Sequence, residues 1–87
     1  MAPVVVYSTA YCGYCVRARA LLTQLGVEFE TIDVTDDDEQ RRWLVDVTKQ
    51  RTVPQIFIGG ESVGGFDDLA ALHRRGQLLP KIEQARH

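Results

Sequence analysis

Two cysteines stand three apart in Cys12-Gly13-Tyr14-Cys15, directly after the apolar run Val4-Val5-Val6-Tyr7 and directly before a helical pattern. Thiols at that spacing can close and open as a disulfide. A thiol is a poor nucleophile until it ionises, and the free N–H groups and positive dipole end at the start of a helix favour the thiolate. Cys12 is therefore the expected attacking group. A side chain one turn further along faces back into the protein, so Cys15 is placed to resolve a mixed disulfide formed on Cys12.

Two other uses of such a pair carry less weight. A structural disulfide closing so short a loop removes little unfolded-state entropy. A zinc site needs about four ligands, and only His73 and His87 could supplement the two thiols. A lone C-x-x-C becomes informative only with a strand before it and a helix after it, so the neighbouring elements decide.

Val4 to Tyr7 is continuous, apolar and rich in β-branching, which suits a strand covered on both faces in mid-sheet. From Gly13 to Leu25, Ala18, Leu21, Leu22 and Leu25 recur at helical spacing, and Gly26 is placed to cap the helix end. Val27 to Val34 alternates like a second strand. Thr35-Asp36-Asp37-Asp38-Glu39 has the carboxylates of a metal site, but acidic residues opening a helix are what capping and the dipole favour, with Asp36 and Glu39 at capping-box spacing. The second helix runs to about Lys49 with Trp43, Leu44 and Val47 inward, Trp43 as core rather than a ligand platform. Gln55 to Ile58 and Glu61 to Val63 flank Gly59-Gly60 as a hairpin. Phe66 to Arg75 and Gln77 to Ala85 read as helices, the first with Asp67 and Asp68 in its opening turn. The right-handed crossover rule turns this order into an α/β fold, a four-stranded mixed sheet of order 2-1-3-4 with helices on both faces. The cysteines then emerge at the C-terminal end of the central strand, where open α/β sheets place their sites.

With 87 residues and 45% hydrophobic content, the chain is expected to form one domain over 1–87. The net charge of −2 is spread along the chain, leaving no basic stripe for nucleic acid. No apolar run reaches membrane-spanning length, and Met1-Ala2-Pro3 opens without signal-peptide features, so a cytoplasmic location is expected. In that compartment a C-x-x-C pair is more often catalytic than structural.

Three segments together, Tyr11-Cys12-Gly13-Tyr14-Cys15, Thr52-Val53-Pro54-Gln55-Ile56-Phe57-Ile58-Gly59-Gly60 and Val63-Gly64-Gly65-Phe66-Asp67-Asp68-Leu69, resemble the glutaredoxin family of the thioredoxin-like fold. The resemblance runs in register over nearly the whole chain. It implies Cys12 as nucleophile, Cys15 as resolving thiol, and Thr52-Val53-Pro54 as the loop that binds glutathione by backbone pairing, with Pro54 in cis. Taken alone, Pro54 reads equally as the ordinary start of a strand.

Glutathione has two carboxylates, one ammonium and a central cysteine, so its site should offer a strand edge, anion donors at each end and one carboxylate. Val53 can pair with its cysteine through the main chain. Gly65, Phe66 and Asp67 open a helix whose free N–H groups suit the γ-glutamyl carboxylate, with the Asp67 side chain on the ammonium. Apart from the resemblance, Asp67 and Asp68 are also plain helix-dipole residues. Arg51, assisted by Arg41, is placed for the glycine carboxylate, although a surface arginine is usually just solvated. Tyr14 belongs to the same binding set. Two departures stand out: Thr9 occupies the place of a lysine common in the family, and Gly13 that of proline. Family members with small residues at Gly13 include some that bind a [2Fe–2S] cluster between two protomers, through each first cysteine and two glutathiones, which would make Cys12 a metal ligand.

The resemblance thus implies a glutathione-dependent oxidoreductase of cell redox homeostasis, monomeric, acting on glutathionylated or disulfide-containing proteins. A cluster-bridged homodimer acting as carrier or sensor is the rival. A protein served by a dedicated thioredoxin reductase fits less well, since the Phe66-Asp67 anion site is wanted only for glutathione.

Overall fold

The computed structural model describes residues 3–86. Readings that fell on Met1, Ala2 and His87 lie outside them. The elements follow in the order β1 (Val4–Ser8), α1 (Gly13–Gln24), β2 (Phe29–Asp33), α2 (Asp38–Thr48), β3 (Gln55–Ile58), β4 (Glu61–Gly64), α3 (Phe66–Arg74) and α4 (Leu78–Ala85).

The sheet has the order β2-β1-β3-β4. β1 runs parallel to β2, with Val4 opposite Phe29 and Ser8 opposite Asp33, and antiparallel to β3, with Val4 opposite Ile58 and Tyr7 opposite Gln55. β3 and β4 form the expected hairpin. Its turn residues Gly59 and Gly60 have φ of +60° and +84°, the left-handed pair that two-residue hairpin loops require.

The alternation of side chains along β1 splits the core in two. Val4 and Val6 join Ile56 and Ile58 against Ala18 and Leu22 of α1, Leu69 of α3, and Leu78 and Ile82 of α4. Each fully buried large aliphatic there, such as Leu22 or Leu69, contributes about 1.5–3 kcal/mol through water exclusion. On the other face a smaller cluster forms from Val34, Leu44 and Phe57, with Tyr7, Ile32 and Val53 packed against it.

That second face corrects two expectations. β1 is not equally covered on both sides: Val4, Val6 and Ser8 are buried, whereas Val5 and Tyr7 are only partly so. α2 turns Leu44 inward but leaves Trp43 and Val47 substantially exposed, at 44% and 47%. Trp43 lies along the sheet rather than within it, stacked on Phe57 at 5.8 Å and tilted against Tyr7 at 5.7 Å. One short helix cannot cover a face that three helices share on the other side.

The cap of α2 is also displaced by one residue. Asp37, not Asp36, is the N-cap, and its carboxylate accepts from the Gln40 N–H at 3.0 Å and from the Gln40 side-chain amide at 3.3 Å. Asp38 and Glu39 occupy the first turn, as the dipole favours. The helix ends at Lys49, which takes the left-handed conformation at φ +60° that glycine usually supplies. β2 is shorter than its sequence pattern, with Val27 and Val34 buried just outside it.

Candidate functional site

Cys12 is the N-cap of α1, with extended backbone at φ −105° and ψ 108°. Its sulfur takes the role that a serine or aspartate oxygen plays at other helix starts, accepting from the Cys15 N–H at 3.1 Å. As a thiol it donates to the Val53 carbonyl oxygen at 3.4 Å. Cys12 is partly exposed, while Cys15, three residues on, is fully buried and also reduced. The inward direction expected of Cys15 is what the helix produces.

The two sulfurs are electrostatically unequal. Burial, then the hydrogen bond to the Cys12 side chain, push the Cys15 thiol up to about 12; the Thr9 backbone opposes them, the Cys12 charge adds a smaller push upward, and Arg19 a still smaller one downward. Thr9, where a lysine is common in the resembled family, thus reaches the thiol pair through its main chain. Arg19 in turn donates to the buried Ser8 hydroxyl at 3.4 Å.

The Val53 carbonyl reaches Cys12 because the segment before β3 is tied down. The Thr48 hydroxyl donates to the Leu44 carbonyl at 2.6 Å and accepts from the Gln50 N–H at 3.1 Å. The buried Gln55 amide donates to the Thr52 carbonyl at 2.8 Å and to the Gln50 side-chain oxygen at 3.0 Å. The Val53–Pro54 peptide is cis.

Across from this segment lies the start of α3. Gly65 is its N-cap, and no side chain caps the opening N–H groups. Instead the Asp68 carboxylate accepts from the Gly65 N–H at 3.0 Å. Gly64, at φ +102°, is required here, because a Cβ would collide with the Asp68 carboxylate.

A groove runs between the two segments, lined by Tyr14, Gln50, Thr52, Val53, Pro54, Gly65, Phe66, Asp67 and Asp68. The Tyr14 and Phe66 rings stack at 6.3 Å, and the Arg17 guanidinium sits 5.5 Å from the Tyr14 ring centre. Tyr14, Thr52, Val53, Pro54, Gly65, Phe66 and Asp67 are therefore brought together as expected. Arg51 and Arg41 are not in this groove but line an adjoining hollow that shares Gln50, Thr52 and Val53 with it. Gln50, Arg42 and the capping role of Asp68 escaped the sequence reading. Asp68 could have been found from its three-residue spacing to Gly65, the spacing of a reciprocal cap.

No group of three or more His, Cys, Asp and Glu able to hold a metal ion occurs among the described residues. A shared cluster would draw one thiolate, Cys12, from each chain and the rest of its ligands from elsewhere. No helix among the described residues is long and apolar enough to cross a membrane.

A four-stranded sheet of order 2-1-3-4, with a C-x-x-C pair at the C-terminal end of its central strand and a cis-proline carbonyl neighbour facing the first sulfur, defines a thioredoxin-like fold. Comparison with known proteins narrows this. The glutaredoxin family model matches residues 4–63. Glutaredoxin-C6 of Oryza sativa subsp. japonica is 46% identical over 87 aligned residues, covering 97% of this chain and 78% of the rice protein. A glutaredoxin of Pseudomonas aeruginosa is 50% identical over 78 residues, covering 90% of this chain and 93% of that protein. Among solved structures, the buckwheat glutaredoxin–glutathione complex superposes with a TM-score of 0.90 at 40% identity, covering 97% of this chain and 79% of that one. The chain belongs to the glutaredoxin family, whose members are thiol–disulfide oxidoreductases.

Proposed function

We propose that the protein uses glutathione to reduce protein–glutathione mixed disulfides and protein disulfides, with Cys12 as nucleophile and Cys15 as resolving thiol. The observation that carries this reading is the placement of the partly exposed Cys12 sulfur 3.4 Å from the Val53 carbonyl, where a tripeptide laid along Thr52-Val53-Pro54 would present its own sulfur. The Val53 main chain pairs with the central cysteine, the opening N–H groups of α3 beyond Gly65, which no N-cap side chain engages, take the γ-glutamyl carboxylate beside Gly65 and Phe66, and the Asp67 side chain takes the ammonium. Arg51, with Arg41 behind it, receives the glycine carboxylate from the adjoining hollow. Tyr14, stacked on Phe66, closes the groove beside the sulfur. Relatives offer support, since the buckwheat protein was solved as a glutathione complex.

In the first half-reaction the Cys12 thiolate attacks the glutathione sulfur of a mixed disulfide. A Cys12–glutathione bond forms, the old S–S bond breaks, and the protein leaves as a thiolate that takes a proton from solvent. A second glutathione thiolate then attacks the glutathione sulfur on Cys12, releasing oxidised glutathione and restoring the Cys12 thiolate. With a protein disulfide, Cys15 attacks the Cys12 sulfur instead and expels the reduced protein, and two glutathiones reopen the Cys12–Cys15 bridge. Once Cys12 is held in a mixed disulfide it carries no charge, so one of the influences keeping the proton on Cys15 disappears.

The test is a coupled assay with glutathione, glutathione reductase and nicotinamide reductant. Cys12→Ser abolishes turnover on every substrate. Cys15→Ser keeps deglutathionylation and loses reduction of protein disulfides; loss of both together refutes the division of roles. The protein acts as a monomer in the cytoplasm in this reading.

A second reading is favoured by Gly13. Apart from its chain neighbours and its own helix backbone, a Cβ there would meet nothing within 4 Å, so the helix start beside Cys12 is open at that position. Two copies could then share a [2Fe–2S] cluster through each Cys12 and two glutathiones. Anaerobic reconstitution with glutathione yields a coloured dimer if this holds, and a colourless monomer rules against it.

A further inference from the structure

The nucleophile stands on the connection between β1 and α1, and little packing holds that connection in place. Ala10 is exposed and Tyr11 is 95% exposed. A polar tie reaches it from the turn that follows β2. The Ala10 N–H, two residues ahead of Cys12, donates to the Thr35 hydroxyl oxygen at 2.8 Å. That hydroxyl donates its own proton to Asp33 at 2.6 Å, and the Thr35 N–H donates to the same carboxylate oxygen at 2.8 Å.

The three bonds have a direction. A hydroxyl has one proton and two acceptor positions. A carboxylate can only accept, so Asp33 fixes where the Thr35 proton points and leaves a lone pair turned to Ala10. The Asp33–Thr35 turn itself stands on the sheet: Asp33 is in register with Ser8, and the Val34 N–H continues the pairing to the Ser8 carbonyl at 2.8 Å. Sheet register is thus transmitted through Asp33 and Thr35 to the loop that presents the sulfur.

We propose that Thr35, oriented by Asp33, is a positioning residue for the Cys12 nucleophile, acting through the Ala10 N–H without touching substrate. The proposal rests on Cys12 being the attacking group. Hydrogen bonding of this kind is strong enough to matter in a loop with little other support, and a displaced nucleophile loses rate faster than the fold loses stability.

The experiment compares wild type, Thr35→Val and Thr35→Ser in three measurements. These are exchange of the Ala10 amide with deuterium, alkylation of Cys12 by iodoacetamide, and kcat/KM on a glutathionylated peptide. Thr35→Val keeps the shape and removes both hydroxyl bonds. It is expected to speed Ala10 exchange by about tenfold and to lower Cys12 alkylation and kcat/KM by about three- to tenfold. Thr35→Ser restores all three to within about twofold of wild type, which a purely steric role of the threonine methyl would not. Should Thr35→Val fail to fold, Asp33→Asn supplies the second arm: the hydroxyl keeps a partner but loses its fixed polarity, and the rates fall in the same direction. Unchanged alkylation and kcat/KM in a folded Thr35→Val overturn the proposal, as does equal impairment of Thr35→Ser. An inactive wild type overturns the functional reading instead, so the two failures are told apart.

Discussion

Labelling of the two thiols by iodoacetamide tests how the protein separates them. The Cys15 thiol is raised from the ordinary 9.0 to about 12, and its side chain has no solvent exposure. Three decades of ionisation separate these values, so at neutral pH its thiolate is scarcer by about a thousandfold than that of an ordinary thiol. Only the thiolate reacts, so Cys15 should label at least about a thousand times more slowly than a small free thiol, before burial slows it further. The rate should still climb about tenfold per pH unit at pH 10. Both cysteines fall in one tryptic peptide, and fragmentation by mass spectrometry distinguishes them. Burial is the leading cause of the shift and the Cys12 interactions come second. Blocking Cys12 first should therefore speed Cys15 only in part. Labelling of Cys15 within about tenfold of a free thiol would refute the shift. Full normalisation after Cys12 is blocked would show that the sulfur contact, not burial, is in command.

Other expectations concern the frame around the site. Gly64→Ala forces an alanine to φ +102° and drives its Cβ onto the carboxylate that caps Gly65, so chemical denaturation should show a loss of about 1–3 kcal/mol, with a raised KM for glutathione. Lys49→Gly relieves a left-handed lysine and should stabilise the protein by about 1 kcal/mol in the same measurement. Thr35 bonds hold the Asp33 carboxyl below its ordinary 3.8, so what its charge adds to stability is fully present above that pH and lost as pH falls through the lower folded-state value. Thermal melts of Asp33→Asn and wild type should accordingly differ near neutrality, begin to converge as pH falls below 3.8, and meet only below the lower folded-state value.

Much of this molecule was legible from residue order, because the informative residues act locally. Cys12 and Cys15 are fixed by helix geometry, Gly59-Gly60 by the turn they must make, and the sheet order follows from crossover rules applied to strands that the apolar pattern marks. What stayed hidden depends on partners distant in sequence. Trp43 sits at an apolar helical position, yet its exposure is decided by how little of the sheet α2 can cover. Gln50 carries no periodic signal, and its place beside the groove comes from its bond to Gln55. Thr35 reads as part of an acidic helix start, although an Asp two residues before a Thr is the spacing of a side-chain turn. Only family likeness links the Thr52-Val53-Pro54 and Gly65-Phe66-Asp67 segments in the sequence, and the groove is where the folded chain makes them neighbours.

The packing of Trp43 on Phe57 and Tyr7 has a practical consequence. Trp43 is the sole indole of the chain, and it lies on the sheet face opposite α1, at whose start both sulfurs stand. Its emission is a resident optical gauge of whether α2 is seated on the strands. Oxidising or capping Cys12 should leave that signal nearly unchanged, whereas undocking of α2 should shift it at once, so chemistry and local melting can be followed separately in the same cuvette.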